Sequence, residues 1–140
     1  MSSGQRHVAA FALLALGAAS GLAACSGPET IVLEAAEASA AGDREAYVGC
    51  FTPRSQPILR AFFGAAERTN PALTRLGAGE VVVGEAQAMK PTPEGRQRAV
   101  VGVAERGSEG ITLVVHDLAG VWRIDLIDSE RVMTGLERAF

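Results

Sequence analysis

Few side chains in this 140-residue chain can do chemistry, and their types and spacing narrow what that chemistry could be. There are two cysteines (Cys25, Cys50), two histidines (His7, His116), one tyrosine (Tyr47) and 16 acidic residues. A structural zinc site or a Cys–His catalytic pair needs a richer supply of thiolate and imidazole. The glycines of Gly77-Ala78-Gly79 and Gly107-Ser108-Glu109-Gly110 follow no phosphate-loop pattern and suit turns. The acidic residues are scattered without metal-loop spacing, so neither a metal nor a cofactor is expected. The groups that could converge as acid and base in a pocket are Tyr47, Glu85, His116 and Asp125, with Asp117 next to His116.

Each of these has a plainer reading. In Trp122-Arg123-Ile124-Asp125-Leu126 the apolar residues alternate with charged ones. If Trp122, Ile124 and Leu126 pack inward, Asp125 lies with Arg123 on an exposed charged strip. His116 and Asp117 are neighbours in a strand-like run, so their side chains point to opposite faces and cannot readily bond each other. His116 then reads as a strand-end residue near solvent. Tyr47 sits among helical residues, its ring in the core and its hydroxyl at the edge. On these readings no catalytic set is assembled.

The elements that must hold these residues divide the chain in two. "ETIVLEAAEASAA" (29–41) has helical patterning, with Ile31, Val32, Ala35 and Ala38 near one face. Ser26 three before Glu29 suggests a capping box, and Pro28 suits a first turn. Gly42 should end this helix and Asp43 cap a short second one, "REAYVGCF". Ser55 is the best cap for a third helix carrying Ile58, Leu59, Phe62, Phe63 and Ala66, which Asn70-Pro71 stops before Gly77 closes the region. The second half changes period. "EVVVGEAQAMK", "RQRAVVGVAER", "ITLVVHD" and "VWRIDLID" are rich in β-branched residues and separated by "PTPEG", "GSEG" and "AG". Short connections make them a four-stranded antiparallel meander. "ITLVVHD" is apolar on both faces. A helix can cover one, and a loop or a second copy of the chain the other. The tail, 129–140, reads as one loose amphipathic helix through Val132, Leu136 and Phe140. The fold class is therefore α+β, with helices packed on a curved sheet.

The N-terminus has a separate logic. After "MSSGQRH" comes an apolar run, 8–20, about 20 Å long as a helix and too short for a bilayer core of about 30 Å. This is the layout of a secretory signal peptide. It ends in Leu22-Ala23-Ala24-Cys25, which resembles the lipobox of bacterial lipoproteins. The resemblance implies that residues 1–24 are removed and that Cys25 carries diacylglyceryl and usually an amide-linked acyl chain such as palmitate. Two or three chains on one residue would make release from a membrane negligible, since each buried CH₂ contributes about 0.8 kcal/mol. Residues 25–28 would be a lipidated end and short linker. Ser26, a residue other than Asp after the cysteine, implies the outer membrane in a Gram-negative envelope. In a Gram-positive one the protein would lie on the outer face of the plasma membrane. Losing Arg6 from 13 basic residues leaves a balance of −4 against the 16 acidic ones. There is no basic run or aromatic stacking set, so nucleic acid is not an expected partner. With Cys25 acylated, Cys50 has no disulfide partner and reads as a small buried hydrophobe; an intermolecular disulfide and a redox thiol are the alternatives.

Within 29–128, "LEAAEASAAGDREAYVGCFTP" resembles the opening of nuclear transport factor 2-like (cystatin-like) domains, and "GVWRIDLID" resembles their closing strand. This implies a cone-like roll in which the sheet wraps the long helix. Members of that superfamily include isomerases and cyclases as well as plain binding domains, so the fold leaves activity open. The expectation is a non-enzymatic envelope module that takes a small apolar ligand or another envelope protein. The alternatives are a cofactor-free isomerase, dehydratase or cyclase using the cone, and a homodimer or assembly subunit joined through its sheet.

Overall fold

The computed structural model describes residues 27–69, 81–105 and 109–140. Three helices come first: α1 (Pro28–Ala41), α2 (Arg44–Gly49) and α3 (Gln56–Thr69). Strands β1 (Val81–Val83), β2 (Gln87–Met89), β3 (Arg98–Glu105), β4 (Ile111–Leu118) and β5 (Val121–Asp125) follow, and α4 (Leu126–Met133) ends the order. All strand pairs are antiparallel, and β1 and β2 pair with the same edge of β3. The sheet is thus four strands wide and curls into a half-barrel, the α+β arrangement expected from the sequence.

The expected first strand is broken rather than continuous. Val83 faces Val103 and Gln87 faces Val100, so Gly84, Glu85 and Ala86 stand opposite only Val101 and Gly102. That extra residue is a β-bulge. The bulge amide of Ala86 donates to Glu29 Oε1 at 2.7 Å, which ties the first turn of α1 to the sheet edge. Glu29 therefore bonds across the fold, and the capping box expected with Ser26 falls outside the described residues. The N-cap of α1 is Gly27, with no side-chain cap, and Ser26 lies outside the described residues. Gly42 takes the left-handed conformation (φ 70°) at the end of α1, and Asp43 caps α2 by accepting from Ala46 N at 3.0 Å.

The inner face of the sheet packs on α1 through Ile31, Val32 and Ala35, joined by Val48, Leu59 and Phe63 from the other helices and Phe51 from the segment after α2. Ala99, Val101, Val103, Leu113, Val115 and Ile124 close this core from the sheet side. Each fully buried aliphatic side chain contributes about 1.5–3 kcal/mol. Tyr47 belongs here, its ring centroid 5.1 Å from Phe51 and 5.8 Å from Phe63. Among the described side chains of α3, Leu59 and Phe63 are buried, whereas Ile58 and Phe62 are half-exposed. The Ala66 side chain, Asn70-Pro71 and Gly77 lie outside the described residues.

β5 would otherwise expose a free edge. The chain after α2 covers it: Thr52 N donates to Ile124 O at 2.8 Å, and Ile124 N donates to Cys50 O at 2.9 Å. On the outer face, Met89, Val100 and Val114 are covered by Val132 and Ala139. The two-sided apolar character of β4 is thus satisfied by the chain's own tail, and a second copy is not needed to bury it. That tail is not a loose helix over 129–140. α4 starts at Leu126 and stops at Thr134, and Gly135 (φ 75°) turns the chain so that Leu136 and Phe140 are exposed.

Ala119 and Gly120 join β4 to β5 with φ values of 56° and 89°. Two left-handed residues in a two-residue hairpin favour Asn-Gly, and alanine there carries about 1 kcal/mol of steric cost. Ala119→Asn is expected to raise stability by about 0.5–1 kcal/mol in urea denaturation. A lowered midpoint would show that the turn is not strained.

Candidate functional site

The alternation in β5 places Asp125 as the sequence suggests, on the face opposite Ile124. It does not leave it in solvent. Asp125 is 0% exposed, because α4 begins at the next residue and folds back over that face. Asp125 becomes the N-cap of α4, its Oδ1 accepting from Asp128 N at 2.8 Å. Ser129 Oγ donates to Asp125 O and accepts from Val114 N at 2.8 Å, which locks the helix start to β4.

A chain of ionic contacts grows from this junction. Arg54 lies in the corner between α2 and α3. It donates through Nε to Asp125 Oδ2 at 2.7 Å and through Nη2 to Asp125 Oδ1 at 2.8 Å. The same Nη2 lies 3.0 Å from Asp128 Oδ1. Thr52 Oγ1 donates to Asp125 Oδ2 at 2.8 Å. Ser55 does not cap its own helix with its hydroxyl: Oγ pairs with Thr52 Oγ1 at 2.8 Å and accepts from Leu126 N at 2.9 Å. On the far side of Asp128, Oδ2 is 2.8 Å from His116 Nε2 and accepts from Arg98 Nη1 at 2.9 Å. Arg98 further donates to Glu137 Oε1 at 2.8 Å and to Lys90 O at 2.9 Å. Register explains the meeting of His116 and Arg98, which are direct cross-strand partners on the outer face.

His116 is therefore a buried residue, 3% exposed, and not a strand-end group near solvent. Its acidic partner is Asp128, twelve residues on. Asp117 serves the turn instead, its Oδ1 accepting from Gly120 N at 2.6 Å. Burial pushes the carboxyl pKa of Asp125 up, but Arg54, the Asp128 amide and Thr52 more than offset it, so the net shift is downward. Asp128 is also lowered on balance: burial raises it, while the bonds from His116 and Arg98 lower it. Both side chains are held as carboxylates.

His116, Asp125 and Asp128 offer ligand atoms within 4.8 Å of one another, the donor set a divalent cation would use. Every carboxylate oxygen of the pair is already taken. Asp125 Oδ1 accepts from Arg54 and Asp128 N, and Oδ2 from Thr52 and Arg54. Asp128 Oδ1 meets Arg54, and Oδ2 meets Arg98 and His116. The guanidinium of Arg54 bonds both carboxylates, and the cluster is an ion-pair network around two buried aspartates.

Two clefts open on either side of His116 and Arg54. One, of about 470 Å³, runs past Pro53, Leu118 and Ala119. The other, of about 830 Å³, lies between the 90–96 turn and α4. Arg96 lines both. The larger is lined by five cations (Arg54, Lys90, Arg96, Arg98, Arg131) against three acids (Glu94, Asp128, Glu137). Among the described residues, Lys90 and Arg96 line it without an ion pair.

The remaining candidates do not converge on this region. Tyr47 is in the inner core, where burial and then the nearby Cys50 hold its phenol well above the ordinary value. Glu85 is exposed on the bulge and lines neither cleft. Cys50 is free and buried, with its Sγ donating to Ala46 O at 3.3 Å. Burial, then Glu34, raises its thiol pKa against a smaller lowering by Arg123, so the nucleophilic thiolate is disfavoured. Leu22, Ala23, Ala24 and Cys25 lie outside the described residues. Among the described residues no helix is long and apolar enough to cross a membrane.

The residues missing from the sequence reading are Arg54, Arg98, Asp128 and Glu137. One signal was present: Asp125-x-x-Asp128 before Val132 is a helix-capping pattern, which places the start of α4 at Leu126 and not after Asp128. No family model, no curated protein and no solved structure matches this chain.

Proposed function

We propose that the chain is a lipid-anchored, non-enzymatic binding module of a bacterial cell envelope, built on a nuclear transport factor 2-like roll, with the cleft beside the 90–96 turn as its binding surface. The observation that carries this reading is the contrast within that cleft. Asp128 and His116, the groups in it able to move protons, are tied to each other and to Arg98, and Asp125 behind them is tied to Arg54, while the exposed Lys90 and Arg96 form no ion pair among the described residues. Such a surface suits holding a ligand better than turning one over. The space between α1 and the sheet is filled by Val, Leu, Phe and Ile side chains. This turns the ligand class away from the small apolar molecule that an open cone would take.

Purification from native membranes tests both halves. The full chain should carry an acyl mass on Cys25, and Cys25→Ser should move it to the soluble fraction or stall its processing. Lys90→Glu/Arg96→Glu should stay at the membrane and lose the species that co-purifies with the parent protein in native mass spectrometry. A protein with residues 1–24 intact and no acyl mass would remove the anchor. A co-purifying species indifferent to both charge reversals would remove the cleft.

A further inference from the structure

We infer that the cleft between the 90–96 turn and α4 is a phosphate-binding site, a conclusion that rests on the binding-module reading above and names its ligand class. Three features carry it. The lining has an excess of two positive charges, five cations against three acids, in a chain whose formal charge is −3. The free cations come with different geometries: Arg96 offers a planar fork and Lys90 a point charge. Arg54 adds a half-exposed guanidinium from a different element, fixed in place by its bonds to Asp125. Donors spread over the turn and the α2–α3 corner suit an anion with acceptor oxygens in several directions. A phosphate has those, and a planar carboxylate needs only one fork.

The cations of the cleft make a secondary contribution at a neighbour. Glu94 is fully exposed, yet its carboxyl is held below the usual range, first by its own backbone and Thr92 and then by Arg96 and Arg54. The site is also within reach of lipid headgroups. Glu29 bonds Ala86, and Lys90 follows four residues later along β2, about 13 Å on. Cys25 lies at most about 14 Å of extended chain from Glu29. A membrane phosphodiester and a soluble phosphate are therefore the two sources of the same chemistry.

The test is isothermal titration of the full acylated chain in zwitterionic micelles with inorganic phosphate, dihexanoyl phosphatidylglycerol and acetate. At least one phosphate probe should bind, at least tenfold more tightly than acetate and more weakly as salt rises. Lys90→Ala and Arg96→Ala should each weaken it at least tenfold with no change in urea midpoint, since both side chains are exposed. Tighter binding of the phosphatidylglycerol than of phosphate assigns the headgroup, and the reverse assigns a soluble phosphate. Acetate binding as tightly, or phosphate binding unchanged in Lys90→Ala/Arg96→Ala, overturns the inference. A chain that ignores every phosphate probe but keeps a co-purifying species dependent on Lys90 and Arg96 loses this ligand class alone. If that dependence is also absent, the binding-module reading falls with it.

Discussion

Replacing Arg98 with alanine is expected to destabilise the protein by about 3–5 kcal/mol, the cost of breaking a buried ion pair from one side. The side chain of Arg98 is 8% exposed and that of its partner Asp128 10% exposed. Three acceptors on three separate segments lose their donor together: Asp128 in α4, Glu137 in the tail and the Lys90 carbonyl after β2. Asp128 keeps His116 and Arg54, so the largest residual cost falls on Glu137, whose other cation is Arg131 at 3.6 Å. Arg98→Lys should recover less than half of the loss, because an ammonium cannot span acceptors set out for a guanidinium fork. Urea denaturation measures both, and the thermal midpoint of the alanine variant should fall by on the order of 10 °C. A loss below about 1 kcal/mol for Arg98→Ala would mean that the Arg98 contacts contribute nothing net and that α4 is held by its other contacts, the Ser129–Val114 bond among them.

Asp125→Ala should cost about 2–4 kcal/mol. It removes the N-cap of α4, worth about 1 kcal/mol, and takes one of the two partners of the buried Thr52 hydroxyl, which keeps Ser55 Oγ. Arg54 is half-exposed and rehydrates, which keeps the cost below that of Arg98. The carboxylate also sets a pH dependence. Burial raises the pKa of Asp125, Arg54 with the Asp128 amide and Thr52 lowers it further, and the folded value lies below the ordinary 3.8. A group depressed by folding contributes stability that is present above its unfolded pKa and is lost as the pH falls through the folded one. Asp128 acts in the same sense. The contribution of these two carboxylates should therefore be lost below about pH 4, and Asp125→Asn should flatten that fall. An acid limb of unchanged steepness in Asp125→Asn would assign the pH dependence to other carboxylates.

Local rules made the elements legible. Gly42 and Asp43 mark the α1–α2 break because a left-handed C-terminal residue and a side-chain N-cap are properties of a few consecutive residues. The alternation of Trp122, Ile124 and Asp125 gave the facing of β5 correctly, since period two is fixed by the pleat. It could not give exposure, which depends on what lies over the face. The bulge at Gly84-Glu85-Ala86 was hidden for a similar reason, because a strand pattern shows period and not the count of residues opposite it.

What the sequence determined by itself was the α+β class, the order of elements, the helix ends at Gly42 and Asp43 and the apolar inner face, all consequences of short-range periodicity and backbone preference. Tertiary structure alone decided the fate of the ionisable residues. Arg54, Arg98, His116, Asp125, Asp128 and Glu137 are separated by up to 83 positions, and they meet because β3–β4 register and the fold-back of α4 bring them to one face. The strength of a charge pair depends on distance and burial in three dimensions, neither of which is written in the spacing of residues along the chain.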